Sequence, residues 1–175
     1  MACFSIINGQ EIWSRDFKTL SGFSDLPTDT GENLASLVLR DGRVVLVDLN
    51  SRGESAWELP VSQPLDEATH AEVSKDGVYV VTRRGDVCKY SREKTAGKPT
   101  LLWKRALDGH CELPLHAGKY LYALSHFGTA YAIAPADGQI VWKYKVEGTP
   151  TWLSDHANLM YIATKEGKLL ILSAE

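Results

Sequence analysis

The chain has 175 residues and a hydrophobic content of 44%, which is enough apolar material for a core and excludes a disordered chain. Its formal net charge of -3 argues against the broad basic surface that nucleic-acid binding requires, so we expect no nucleic-acid partner. No run of about 18 apolar residues occurs, so we expect no segment that spans a membrane.

The cysteines indicate a compartment. Cys3, Cys88 and Cys111 are odd in number and widely spaced, which makes a poor disulfide framework and fits a reducing environment. The first ten residues, MACFSIINGQ, contain no basic segment that leads into a long apolar core, so they are not typical of a secretory signal. We therefore expect a cytoplasmic protein.

Short strands are predicted along the chain, because apolar residues alternate with polar or small ones between glycine-containing turns. No stretch of ten residues shows helical periodicity. The clearest strands are expected at residues 34–40, 44–49, 78–82, 87–90, 120–124, 131–133, 140–144, 159–164 and 169–172. Longer connections have room for further strands at 70–74, 112–116 and 150–154. Asp137-Gly138 predicts a two-residue hairpin turn.

Two series of residues recur roughly every 40 residues, which is the period of a β-propeller blade of four strands. The first series consists of tryptophans that each close a strand: Trp13, Trp57, Trp103 and Trp142. A glycine stands four residues before three of them, and these glycines are Gly9, Gly53 and Gly138. The second series marks the preceding hairpin of each unit: Gly42, Gly85, Gly128 and Gly167.

These repeats predict a single all-β domain over residues 1–175, a β-propeller of about four four-stranded blades. The repeats are expected at 1–17 (partial), 18–61, 62–107, 108–146 and 147–175 (partial, completed by the N-terminal strand).

Residues 132–142, AIAPADGQIVW, resemble the tryptophan-docking repeat of pyrroloquinoline-quinone-like propellers, Ala-x-Asp-x-x-Thr-Gly-x-x-x-Trp. Ala132, Gly138 and Trp142 match that repeat, while Ala134 and Asp137 replace its Asp and Thr. Residues 3–13 keep the spacing, and residues 46–57 keep it with one residue inserted.

The resemblance implies that the tryptophans pack between blades against the glycine-containing hairpin of a neighbour. The structural docking residues would be Gly9, Trp13, Gly53, Trp57, Trp103, Gly138 and Trp142. The alternative is that these are core tryptophans of another all-β fold, such as a sandwich or a WD-repeat-like propeller.

The catalytic features of quinone-dependent family members are not visible. No two cysteines are adjacent, and no acidic cluster offers the oxygen ligands that calcium requires, so we expect no cofactor, no metal and no enzymatic activity. His110, Cys111 and His116, with Cys88, have no recognised zinc spacing. Ser125-His126 would point to opposite faces of a strand, which makes a nucleophile and base pair improbable.

Two aromatic residues are candidates for contact with a protein partner. Phe127 falls in a predicted turn and Trp152 in a connection, and aromatic residues dominate interface hot spots. We therefore expect a non-enzymatic protein-interaction or scaffold module. The alternative is a binder of small molecules or carbohydrates that uses the mouth of the central channel.

The two ends of the chain contain the same part of the repeat. Residues 3–7 and 171–175 both align to a third strand, whereas a fourth strand with its tryptophan follows only the first of them. Residues 10–17 could add beside 169–172 within one chain, which gives a four-bladed ring, or between two chains, which gives eight blades. A third alternative is a piece of a longer chain. We expect the homodimer.

Overall fold

The computed structural model describes residues 2–5, 7–14, 28–29, 34–39, 42–52, 56–59, 68–92, 99–111, 115–117, 119–156 and 159–173. None of these residues is helical. They form seventeen strands, numbered in chain order: β1 (Ala2–Phe4), β2 (Glu11–Ser14), β3 (Thr28–Asp29), β4 (Leu34–Val38), β5 (Val44–Asp48), β6 (Ala56–Glu58), β7 (Ala68–Ser74), β8 (Gly77–Thr82), β9 (Asp86–Tyr90), β10 (Leu101–Ala106), β11 (Leu115–Ala117), β12 (Tyr120–Leu124), β13 (Thr129–Ile133), β14 (Ile140–Lys145), β15 (Pro150–His156), β16 (Leu159–Thr164) and β17 (Leu169–Ser173).

The strands form four sheets and one hairpin, and each strand pairs antiparallel with its neighbour along the chain. We call β1 and β2 the N-terminal hairpin, β3–β6 sheet 1, β7–β10 sheet 2, β11–β14 sheet 3 and β15–β17 sheet 4. Strand order within each sheet follows the sequence. Every sheet is therefore a meander.

The apolar layers lie between successive sheets. Alternate residues of a strand point to opposite faces, so Cys88 of sheet 2 joins a layer with sheet 1 while Tyr79 joins a layer with sheet 3. Tyr122 of sheet 3 and Met160 of sheet 4 belong to a third layer. In sheets 2 and 3 the second and third strands are buried almost throughout, because a neighbouring sheet covers each of their faces; β8 and β9 are buried along their whole length.

The predicted glycine series lies in the turns between second and third strands. Gly85 has φ of 87°, a left-handed conformation that costs glycine little, and its N–H donates to the carbonyl of Thr82 at 2.9 Å. A Cβ there would also overlap the carbonyl of Gly109, in the segment that leads to sheet 3. Both the backbone conformation and this close approach explain the glycine.

The turn at Asp137-Gly138 is longer than predicted. The backbone hydrogen bond that closes it runs from Ala134 N–H to the carbonyl of Gln139, so four residues lie between the paired ones. Gly138 adopts φ of 71°, and its N–H donates to the carbonyl of Ala134. The prediction of a two-residue hairpin was wrong, because the strand pairing ends before Pro135, which has no N–H to donate.

Sheet 4 and the N-terminal hairpin are both incomplete in the described part of the chain. Strand β17 pairs with β16 and has no described strand on its other side, while β2 pairs with β1 through Cys3 opposite Trp13. The described strands thus do not show the closure within one chain by which residues 10–17 would add beside 169–172. Successive sheets pack face to face through the apolar layers.

Candidate functional site

The four tryptophans occupy one position in the sheets. Each lies in the last strand of its unit, opposite a residue of the third strand: Trp13 faces Cys3, Trp57 faces Leu46, Trp103 faces Lys89 and Trp142 faces Ala132. Of the predicted docking residues, Gly53 and the side chain of Trp57 lie outside the described residues.

Trp103 of sheet 2 lies against the β13–β14 turn of sheet 3. Its indole N–H donates to the carbonyl of Pro135 at 3.0 Å, and a Cβ on Gly138 would lie 2.6 Å from its ring. Arg105, two residues further along β10, donates from Nε to the carbonyl of Gly138 at 2.6 Å. A flat aromatic ring and a residue without a side chain therefore form a joint between the two sheets.

A buried lysine strengthens the same joint. Lys89 Nζ lies 2.7 Å from a carboxylate oxygen of Asp76, donates to the carbonyl of Pro135 at 2.8 Å, and sits 5.3 Å from the centre of the Tyr79 ring. The Tyr79 hydroxyl donates to the same Asp76 oxygen at 2.8 Å. Burial and this hydrogen bond to a carboxylate raise the pKa of the Tyr79 hydroxyl.

The turns between second and third strands form an exposed surface, which we call the turn surface. Its tips are the dipeptides Arg83-Arg84, His126-Phe127 and Lys165-Glu166, and all six residues are exposed. Phe127 is the large apolar side chain among them and is 64% exposed, with one edge of its ring against Gly109. Lys145 Nζ donates to the Phe127 carbonyl and holds the turn to β14.

Asp108 forms a hydrogen bond that connects the segment below the turn surface to sheet 3. Thr129 Oγ1 donates to its carboxylate at 2.7 Å. Burial opposes ionisation of this carboxyl, but hydrogen bonds from Ser125, Thr129 and Tyr131 outweigh that effect and hold the pKa of Asp108 below its ordinary value. The charged form of Asp108 is therefore the one that the fold favours.

Phe127 lies where the sequence placed it, in a turn, and its exposure suits contact with a partner. Trp152 lies in strand β15 rather than in a loop, within the strand predicted at 150–154, and its side chain is outside the described residues. Both remain predictions as partner contacts.

The side chain of His116 lies outside the described residues, and the other residues considered for chemistry do not converge. Cys88 lies in the layer between sheets 1 and 2, whereas Cys111 lies in the layer between sheets 2 and 3, on the opposite face of sheet 2. Ser125 is buried and its hydroxyl accepts a hydrogen bond from Thr129 N–H, while His126 is exposed. Among the described residues no three His, Cys, Asp or Glu side chains could together hold a metal ion.

Lys89 is the residue that the sequence did not single out. In the strand DVCKY a lysine is expected to face solvent, and only its place opposite Trp103 could have indicated burial.

Comparisons with known proteins agree with this architecture. The family model described as outer membrane protein assembly factor BamB matches residues 1–175. The comparison with curated protein sequences found no match. In the described residues no helix is long and apolar enough to cross a membrane.

Solved structures show the same fold at low sequence identity. BamB from Moraxella catarrhalis is 19% identical with a TM-score of 0.73, over 98% of this chain and 51% of that one. The computationally designed protein Ika8 is 18% identical with a TM-score of 0.71, over 97% of this chain and 51% of that one. The designed protein Ika4 is 17% identical with a TM-score of 0.71, over 95% of this chain and 99% of that one.

The chain thus spans about half the length of the BamB and Ika8 chains and almost the whole of Ika4. The predicted all-β propeller fold is confirmed, as a partial β-propeller whose sheets are the blades. The match over the full sequence also confirms the resemblance stated for the tryptophan-docking repeat. The chain belongs to the pyrroloquinoline-quinone-like β-propeller family whose model is described as outer membrane protein assembly factor BamB.

Proposed function

We propose that the chain is a non-enzymatic protein-interaction module that binds a partner protein through its turn surface. The observation that carries the proposal is Phe127, a large apolar side chain that is 64% exposed at the tip of a hydrogen-bonded turn. A rigid aromatic tip loses little conformational entropy on binding, and such residues dominate interface energetics.

The neighbouring tips add charge around this apolar centre. Arg83 and Arg84 are exposed at the adjacent turn of sheet 2, and Arg is enriched at hot spots together with aromatic residues. An apolar centre with a polar rim is the usual anatomy of a protein interface.

The test compares two exposed apolar residues. Immobilised wild-type protein, Phe127→Ala and Leu102→Ala would be used to capture proteins from an extract of the source organism, with mass spectrometry to identify them. Leu102 is 53% exposed on β10, away from the turn surface, and serves as the matched control. We expect one protein to be captured by wild type and Leu102→Ala and lost with Phe127→Ala. Equal capture by all three proteins would contradict the proposal.

The absence of enzymatic activity is part of the proposal. It is supported by the lack of adjacent cysteines and by side chains that do not converge on a metal site in the described ranges. Protein incubated with pyrroloquinoline quinone and calcium should not oxidise alcohols or sugars with an artificial electron acceptor. Sustained turnover would overturn this part.

We also place the module in the cytoplasm, on the basis of its odd number of cysteines. Cell fractionation should recover it with cytosolic markers, and recovery in an exported form would contradict this location.

Finally, we propose that two chains associate as a homodimer with eight blades. The chain superimposes about equally well on half of a longer propeller and on nearly all of Ika4. Light scattering at micromolar concentration should give twice the mass of 19.3 kDa.

A further inference from the structure

One face of sheet 4 is apolar and exposed where the other sheets are covered. Each sheet has a glycine in the turn between its second and third strands: Gly42, Gly85, Gly128 or Gly167. The residues two and four positions after this glycine point toward the following sheet. In sheets 1 to 3 these residues are at most 5% exposed: Val44, Leu46, Val87, Lys89, Ala130 and Ala132. In sheet 4 they are Leu169 and Ile171, which are 61% and 56% exposed. Sheet 4 therefore has an apolar face built to pack against another sheet.

The outer edge of sheet 4, along β17, also has no described strand beside it. The residue four positions after the turn glycine pairs with the tryptophan of the fourth strand, as Ala132 pairs with Trp142. In sheet 4 the equivalent residue is Ile171, and no described strand lies beside it. At the other end of the chain, Trp13 of β2 pairs with Cys3 of β1. Strands β1 and β17 thus hold the same position relative to a fourth strand.

The turn before β2 supplies an independent observation. Ser5 N–H donates to the Gln10 carbonyl and Gly9 N–H to the Ser5 carbonyl, the same bonds that close the turn over 134–139. Gly9 has φ of 69°, close to the 71° of Gly138. The Gly138 turn carries Trp103, whereas no described atom lies within 4 Å of a Cβ placed on Gly9. The N-terminal hairpin therefore presents an empty docking position for a tryptophan.

Among the described glycines, none lies against the ring of Trp142 as Gly138 lies against that of Trp103. Trp142 follows Trp103 in the series, so its docking glycine would lie between the third and fourth strands of sheet 4. In the part of the chain that the structure describes, the Trp142 indole N–H has no acceptor, whereas that of Trp103 has the Pro135 carbonyl.

We propose that strand β2 of one copy, with the Gly9 turn before it, completes sheet 4 of a second copy. Strand β2 adds to the free edge of β17 with Trp13 opposite Ile171, and Trp142 docks on Gly9 of the other copy. Because β1 and β17 occupy the same position beside β2, β17 replaces β1 as its partner. Two such joints related by a two-fold axis close the ring. The inference rests on the proposed homodimer and names its contact surfaces.

The register can be tested by engineered disulfides. In sheet 3, Tyr131 pairs with Lys143, one position from the tryptophan pair, and the equivalent pair across the joint is Leu170 with Ser14. Ser14→Cys with Leu170→Cys, in a Cys3→Ser background, should form a disulfide between chains that a non-reducing gel shows at twice the monomer mass. Ser14→Cys with Ser173→Cys is the control, three residues out of register along the strand and too far apart to bridge.

Three results would overturn the joint. A disulfide within one chain would mean closure inside the monomer, and an unlinked dimer would mean that other surfaces associate. A stable mass of 19.3 kDa would exclude the homodimer altogether, and the missing neighbour of sheet 4 would then be further residues of a longer chain or another protein. None of these results bears on capture of a partner through Phe127, so the two proposals fail separately.

A matched pair of substitutions provides a second measurement. Ile171→Asp places a charge in the joint, whereas Leu102→Asp places a charge on β10. The two side chains are almost equally exposed, Ile171 at 56% and Leu102 at 53%. We expect Ile171→Asp to weaken dimerisation at least about tenfold, because apolar burial is lost and a charge is desolvated. Leu102→Asp should leave the dimer unchanged. Equal dimerisation of both variants would contradict the proposal.

Discussion

At the scale of single residues, the contact between Trp103 and Gly138 shows why the repeat needs both residue types. The indole lies so close to the turn that a Cβ on Gly138 would be 2.6 Å from the ring. The turn also holds the carbonyl of Pro135 in place to accept the indole N–H. Replacing either Trp103 or Gly138 would therefore disrupt this contact between sheets 2 and 3.

We predict that Gly138→Ala destabilises the protein by about 2 to 4 kcal/mol, because the methyl group adds overpacking to the strain of a positive φ. The matched control is Gly167→Ala, where φ is 77° but no atom lies within 4 Å of the added Cβ. That variant should lose only about 1 kcal/mol from backbone strain. Urea unfolding below the concentration of dimer formation measures both values, and equal losses would contradict the packing role of Gly138.

The burial of Lys89 could not be predicted from the sequence. The tryptophan and glycine series could be found because each residue type recurs at a fixed interval. Lys89 has no counterpart, since the equivalent positions are Leu46 and Ala132. Its burial depends on Asp76 and the Pro135 carbonyl, which come from another turn and another sheet. Contacts of this kind can be identified only from the three-dimensional structure.

At the scale of elements, the segment between sheets 2 and 3 is fixed by side chains as well as by backbone. Asp108 accepts a hydrogen bond from Thr129 at the start of β13, and Leu107 N–H donates to the Gly85 carbonyl. The turn surface therefore rests on a segment that is bonded to both sheets.

We predict that Asp108→Asn lowers the free energy of unfolding at pH 7 by about 1 kcal/mol, a modest value because the carboxylate is partly in water. The folded pKa of Asp108 lies below the ordinary value of 3.8. Its contribution is therefore complete above that value and is lost as the pH falls through the folded pKa. The stabilities of wild type and variant should converge in acid.

Urea unfolding at pH 7 and at successively lower pH measures this convergence. Glu147→Gln is the control, since it removes an exposed carboxylate from a surface ion pair with Lys168. It should change stability little at any pH. A constant difference between wild type and Asp108→Asn would show that the hydrogen bonds do not depend on the charge.

The elements themselves could largely be predicted from the sequence, and the details of their turns could not. Alternation between glycines places β8, β9, β12, β13 and β16 close to their observed bounds. The turn over 134–139 was predicted too short, because Asp-Gly indicates a tight hairpin without showing where pairing ends. The irregular pairing between Ala132 and Ile133 shifts the strand register at that point.

At the scale of the whole molecule, the described sheets pack in series and the last apolar face is exposed. The repeat period predicted the number of sheets, but it does not determine how much each sheet is rotated against the next. That rotation depends on how side chains fill the layers between sheets, and it decides the number of blades in a ring. The exposed Leu169 and Ile171 are thus a property of the assembled sheets.

The shared position of β1 and β17 has a consequence for how longer chains of this fold can be built. Because both ends contain the same third strand, two coding sequences joined in tandem, with one redundant strand removed, would keep the repeat in phase. The product would have about twice the length, as the BamB chain has relative to this one. We expect this fused protein to be a monomer at every concentration, because the joint becomes intramolecular and its effective concentration no longer depends on dilution. If the fused protein still associates in light scattering, β2 and β17 do not pair in the proposed register.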